Sequence, residues 1–240
     1  MDNSSYVTLN RQAGLTREMQ IIANNIANAS TTGFRREGTL FAEHIAALGP
    51  KEESLSMADA TVRLIDLSQA GLEQTRGKLD LAIQGPGFFQ VQTPDGNRLT
   101  RAGAFATSPE GELVNMDGYR VLDAGGAPIG IPPTAQAIAI GQDGTISADG
   151  VAVGQVGVVA PVDPMDLFDA GGTLLEAKNG TEPVEGSQIL QGFLEESNVS
   201  PVRELTRMIE VQRAYEQGQK FLENEHDRIR SVISTISRSS

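Results

Sequence analysis

The stretch SPVRELTRMIEVQRAYEQGQKFLENEHDRIRSVISTISRSS, Ser200–Ser240, decides how this chain is built. Stepping by alternate threes and fours from Leu205 reaches Met208, Gln212, Tyr215, Gln219, Leu222, His226, Ile229, Ile233 and Ile236. Seven of these ten positions are apolar, the segment has no proline after Pro201, and its one glycine is Gly218. The spacing predicts a long amphipathic helix with a coiled-coil stripe. Ser200-Pro201 supplies the start signal, an N-cap residue followed by proline at the first helical position. Arg203 stands where a capping box would place Glu, and Glu204 comes one residue late. About forty residues rising ~1.5 Å each make a rod of roughly 60 Å. The intervening ~165 residues, as one domain, would be roughly 40 Å wide. Such a helix overhangs its own body, so its stripe needs cover from another helix and from other molecules. A long helix folded back on its own domain is the plainer alternative. Gln212, Gln219 and His226 lie one heptad apart, and polar residues in a seam trade stability for register or partner choice.

Charge sorts the rest of the chain into ends and middle. Formal net charge is −12 over 240 residues. Residues 1–33 sum to zero (Arg11 and Arg17 against Asp2 and Glu18), and residues 200–240 sum to +1, seven basic against six acidic, leaving −13 for the middle. An acidic body argues against nucleic acid, because phosphate binding needs a basic face. The near-neutral ends can approach each other without electrostatic penalty. Zero cysteine removes disulfides, thiolate metal sites and cysteine nucleophiles. No apolar run approaches membrane-span length, so no membrane insertion is expected. The start, Met-Asp-Asn-Ser-Ser-Tyr, lacks the pattern of a secretory signal.

Residues 4–29 read as a second helix with two seams. Large side chains form one, Leu15, Met19, Ile22, Ile26 and then Ala29; a mostly small set forms the other, Tyr6, Leu9, Ala13, Thr16, Gln20, Ala23 and Ala27. Adjacent seams imply several packing neighbours, and an ordinary wide apolar face is the alternative. Asn28 and the Ser30-Thr31-Thr32-Gly33 run are stop and turn chemistry. Asn24, Asn25 and Asn28 carry amides able to bond across a crowded interface. Residues 34–77 read as an irregular connector with short strands near 61–67 and 70–75. From 78 to 198 the texture is all-β. Alternating Leu79–Ile83 and Phe88–Gln92 lead to a hairpin turn at Pro94-Asp95-Gly96-Asn97, and further strands fall at 119–122, 137–140, 151–160 and 189–194. Between residues 34 and 199 lie 23 of the 26 glycines and ten of the eleven prolines. The fold class is therefore α+β: terminal helices pairing as a coiled-coil-like layer around an all-β middle, in segments 1–33, 34–77, 78–198 and 199–240.

Candidate chemistry is sparse. His44 and His226 have no spacing that makes a metal site or a nucleophile–base pair. Gly85-Pro86-Gly87 joins two strands and opens no helix, so it fails as a phosphate loop. Asp143-Gly144 and Asp149-Gly150 lack the remaining ligand positions of a calcium loop. No catalytic, cofactor or metal site is expected.

Three stretches together resemble the axial proteins of the bacterial flagellum, specifically the basal-body rod proteins. They are Ala23-Asn24-Asn25-Ile26-Ala27-Asn28 continuing to Gly33-Phe34-Arg35; Leu79-Asp80-Leu81-Ala82-Ile83 through Phe88-Phe89-Gln90-Val91 with Leu99-Thr100-Arg101-Ala102-Gly103-Ala104-Phe105; and Glu196-Ser197-Asn198-Val199-Ser200-Pro201-Val202 with Met208–Glu216. The opening Met-Asp-Asn-Ser-Ser-Tyr-Val and the short connector look more like the proximal rod type, with a distal rod or other axial protein as the alternative. The resemblance implies a structural subunit of a hollow shaft. It further implies paired terminal helices inside, a β domain outside, no enzyme activity, and passage through the flagellar type III export apparatus without a cleaved signal. Its partners would be itself and other rod proteins, its place the basal body across the periplasm. The assembly interface would be Leu15, Met19, Ile22 and Ile26 with the stripe from Leu205 to Ile236. Two other readings are a β-domain adhesin or sugar binder on a helical stalk, needing an exposed aromatic platform, and a β-fold lyase, needing paired carboxylates in a cleft.

Overall fold

The computed structural model describes residues 3–46, 55–184 and 186–238, with side-chain positions for 8–39, 63–184, 186–231, 234 and 237. Helix α1 spans Asn3–Ala27 and helix α2 spans Pro201–Arg238; the described regular structure between them is strands and one short 3-10 helix. The architecture is α+β. Two compact units result, one of residues 1–27, 37–63 and 200–240, the other of residues 28–36 and 64–199.

In the second unit a seven-stranded sheet runs Leu167–Asp169, Leu175–Ala177, Gly96–Thr100, Phe89–Thr93, Arg120–Leu122, Leu113–Asn115, Phe105–Thr107. Its central hairpin pairs Thr93 with Gly96, so Pro94-Asp95 is the two-residue loop. Ile138–Ile140, Thr145–Ala148 and Val151–Gln155 form a three-stranded sheet. The core sits under these sheets, where Leu81, Ile83, Phe89, Val91, Leu113 and Ile146 are wholly buried. Phe89 and Phe105 meet edge to face at 5.2 Å, the geometry their ring quadrupoles favour.

Several sequence expectations shift in detail. The strand expected at 151–160 is two, because the chain leaves the Thr145–Ala148 strand and re-pairs as Val159–Pro161 with Thr181–Pro183. The one expected at 189–194 also changes partner: Gln188–Gln191 pairs with Leu81–Gln84, and Phe193–Glu195 with Leu72–Gln74. Helix α1 stops two residues early. The amide of Thr31 donates to Asn28 O at 3.1 Å, and the Thr31 hydroxyl bonds the Asn28 carboxamide. The connector differs most: Glu37–Ala46 and Leu55–Ile65 are long strands that pair with each other. Their partnership, rather than local alternation, satisfies their backbones, so single-strand periodicity under-read them. The side chains of His44, Leu40, Phe41 and Val62 lie outside the described residues.

Candidate assembly site

In the second unit one residue from each of the first two motif stretches and the residue just before the third form a buried ion triad. Glu195, fully buried, accepts from Arg101 Nη1 at 3.0 Å and pairs with Arg35 Nη2 at 2.9 Å. Arg35 and Arg101 are 4% and 3% exposed. Other partners surround the triad, while the buried Arg35 Nε and Arg101 Nε have no hydrogen-bond partner among the described residues. Arg35 Nη1 donates to Ser68 O, Arg101 Nη2 donates to Gly85 O, the Ala70 amide donates to Glu195 Oε1, and the Arg101 guanidinium lies 5.3 Å over the Phe88 ring. Burial pushes the Arg101 guanidinium down to about 10, with Glu195 opposing and Arg35 adding to the shift. Burial likewise lowers Arg35, against the pull of Glu195.

Around the triad the segment after α1 is fastened to the segment before α2. The Gly33 amide donates to Glu195 O at 2.7 Å, the Arg36 amide to Asn198 Oδ1 at 2.6 Å, and the Asn198 side-chain amide to Asp66 O at 3.0 Å. Gly33 has φ +71°, and a Cβ there would fall 2.2 Å from the amide nitrogen of Ala102, so only glycine fits.

The first unit brings α1 and α2 together antiparallel. Asn25 meets Glu204, Glu18 meets Arg207 at 2.7 Å, and Gln12 donates to Tyr215 O at 2.8 Å. Leu15, Ile22 and Val211 are the buried apolar contact, flanked by Met19, Ile26, Met208, Ala214 and Tyr215. Each such buried side chain contributes about 1.5–3 kcal/mol. Asn25 is the pivot of the polar part. Its Nδ2 donates to Glu37 O at 2.8 Å and to Glu204 Oε2 at 3.2 Å, and its Oδ1 accepts from the Glu37 amide at 2.9 Å.

The large-residue seam of α1 therefore faces α2 within the chain. On α2, Met208, Tyr215 and Leu222 are half-buried, but Leu205 (53% exposed), Gln212, Gln219, His226 and Ile229 (46% exposed) face outward. The side chains of Ile233 and Ile236 lie outside the described residues. The row that turns toward α1 is Glu204, Met208, Val211, Tyr215, Gly218 and Leu222, displaced by one residue at alternate steps. Counting apolar positions favoured Leu205 over Glu204 and so missed Glu204, Val211, Glu18 and Gln12. No apolar signal could find a seam that buries carboxylates against an amide and an arginine. The small seam of α1, from Leu9 and Ala13 to Ala23 and Ala27, is exposed. Among the described residues no cluster of three His, Asp or Glu could hold a metal, and no helix is long and apolar enough to cross a membrane.

Much of the surface of both helices is uncovered in the single chain. The family description "Flagella basal body rod protein" matches residues 6–35, "Flagellar hook protein FlgE/F/G D1 domain" matches 82–148, and "Flagellar basal body rod FlgEFG protein C-terminal" matches 190–235. The chain is 41% identical over 244 residues to the flagellar basal-body rod protein FlgF of Caulobacter vibrioides, covering 99% of both. It is 40% identical over 220 residues to FlgF of Mesorhizobium japonicum, covering 90% of both. FlgG of Bacillus subtilis is 31% identical over 262 residues, covering 98% of this chain and 99% of that one. The chain belongs to the flagellar basal-body rod protein family, as a FlgF-like structural subunit of the rod.

Proposed function

We propose that this subunit builds the proximal part of the rod by helical assembly. Its terminal helices pair as a coiled-coil-like inner layer, and the β domain faces outward. The observation that carries this reading is the uncovered surface of α2. The helix has 38 residues, about 57 Å at ~1.5 Å per residue, against 25 residues and about 37 Å for α1. Along it Val202, Leu205, Ile209, Phe221 and Ile229 are exposed. These exposed side chains, with Gln212, Gln219 and His226 and then Ile233 and Ile236, are where neighbouring rod subunits dock. The same molecule works by contact and not by catalysis. It reaches the basal body through the flagellar type III export apparatus, unfolded in transit, a route that suits a chain without cysteine.

The test is a Leu205→Asp, Ile229→Asp double variant expressed in a strain lacking the native gene. Both side chains are exposed in the single chain, so folding should persist by circular dichroism while incorporation and swimming are lost. Wild-type swimming with the double variant would refute the docking role. Loss of the sheet signal would refute the division between body and helices.

A further inference from the structure

Near the start of α1 a cleft of about 270 Å³ opens between the helices, lined by Arg11, Gln12 and Leu15 on one side and Gln217, Gly218 and Phe221 on the other. Gln12 is only 8% exposed. Its Nε2 donates to Tyr215 O, and because a carbonyl only accepts, that bond fixes which way the amide points. Gly218 makes this possible, since a Cβ there would sit 2.0 Å from Gln12 Nε2. Gln12 Oε1 is then a buried acceptor with no hydrogen-bond partner among the described residues. Such groups in native proteins are normally met by a partner.

The lining says what kind. The cleft needs a hydrogen-bond donor on a stem that can pass Leu15 and Phe221. The cation of Arg11 disfavours lysine or arginine as that donor. A carboxamide or a neutral imidazole fits, and this chain displays both in one exposed row, Gln212, Gln219 and His226. The helical ends are also the near-neutral parts of the molecule, with charges of zero and +1 against −13 for the middle, so copies meet there with least repulsion.

We propose that a second copy of this chain inserts a side chain of that row into the cleft, donating to Gln12 Oε1. The contact joins two different surfaces, so it gives a ring or an open helix of copies rather than a symmetric dimer. This proposal rests on the assembly reading above and names the knob and the socket within it.

The chain has no cysteine, so Gln217→Cys in the full-length protein can carry a single photo-crosslinker at the lip of the cleft. Mixing isotopically light and heavy copies distinguishes crosslinks between copies from those within one. The expected product joins residue 217 to α2 residues 207–230 of a second copy. Association that persists with crosslinks only to the β body, or to α1, would overturn the knob-and-socket contact and leave helical assembly standing. Absence of self-association at any concentration would overturn both. In parallel, Gln12→Leu should weaken self-association about tenfold by sedimentation velocity. Helical content should be unchanged. Undiminished association would overturn the role of Oε1. If the variant loses helix, the crosslink decides alone.

Discussion

Glu195 in the β body and Glu204 on α2 are both buried carboxylates, yet they are satisfied in different ways. Glu195 is enclosed by two guanidinium groups and a backbone amide, in a unit whose core is complete within the chain. Glu204 accepts from the amide of Asn25 on one side of a helix whose other side is bare. Buried ions are costly unless every group is met. The carboxylate of Glu195 is met within one chain, although Arg35 Nε and Arg101 Nε beside it have no hydrogen-bond partner among the described residues. The helix pair is finished on one face only, and what remains open is the surface available to neighbours.

The contrast can be broken most forcefully at Glu195. Glu195→Ala strands two buried guanidinium groups, and the full chain should lose about 3–5 kcal/mol, read as a drop in the chemical-denaturation midpoint. A loss below about 1 kcal/mol would mean that water reaches the triad. Asn25→Ala comes next. It removes three buried hydrogen bonds, and about 1–3 kcal/mol should disappear from the helical transition, followed at 222 nm, while near-ultraviolet signals of the body stay put. Equal loss from both would show that the two units unfold together.

A finer probe is the contact of Gly218 with Gln12. Alanine at 218 gains about 1 kcal/mol of helix propensity but pushes aside the Gln12 amide, so Gly218→Ala alone should be close to neutral. In a Gln12→Ala background the same change should stabilise by about 1 kcal/mol, a coupling that a double-mutant cycle measures. The smallest effect expected is at Asp66. Partial burial would raise its carboxyl, but the Ser68 hydrogen bonds and the charges of Arg36 and Arg35 outweigh that and hold it below its ordinary 3.8. A depressed carboxylate adds stability above its unfolded value, lost as pH falls through its folded one. Asp66→Asn should therefore slightly lower the urea midpoint at pH 7, and the difference should shrink as pH falls through the folded value.

Much of this was readable in the residues themselves. The stepping of Leu15, Met19, Ile22 and Ile26 marked an apolar seam of α1, assigned to assembly between subunits, that the chain packs against its own α2, and turn dipeptides marked the β body. The row on α2 was not readable, because the true contact spends two positions on Glu204 and Gly218 and leaves Leu205 in solvent. A buried carboxylate and a missing side chain both look like surface to hydrophobic counting. Nor could local pattern show that the strands at 151–160 and 189–194 change partners midway, since pairing is a property of distant segments. The Arg35–Glu195–Arg101 triad was beyond reach for the same reason, although each residue sits in or beside a stretch that carried the family likeness.

The bond from the Arg36 amide to Asn198 spans 162 positions of chain. Closing so wide a loop is slow, because its entropy is spent before any reward arrives. A polypeptide made from its first residue onward therefore cannot complete its β body until all but roughly forty residues have been delivered. The bond that fastens the two ends of the β body therefore forms only after the far one has appeared.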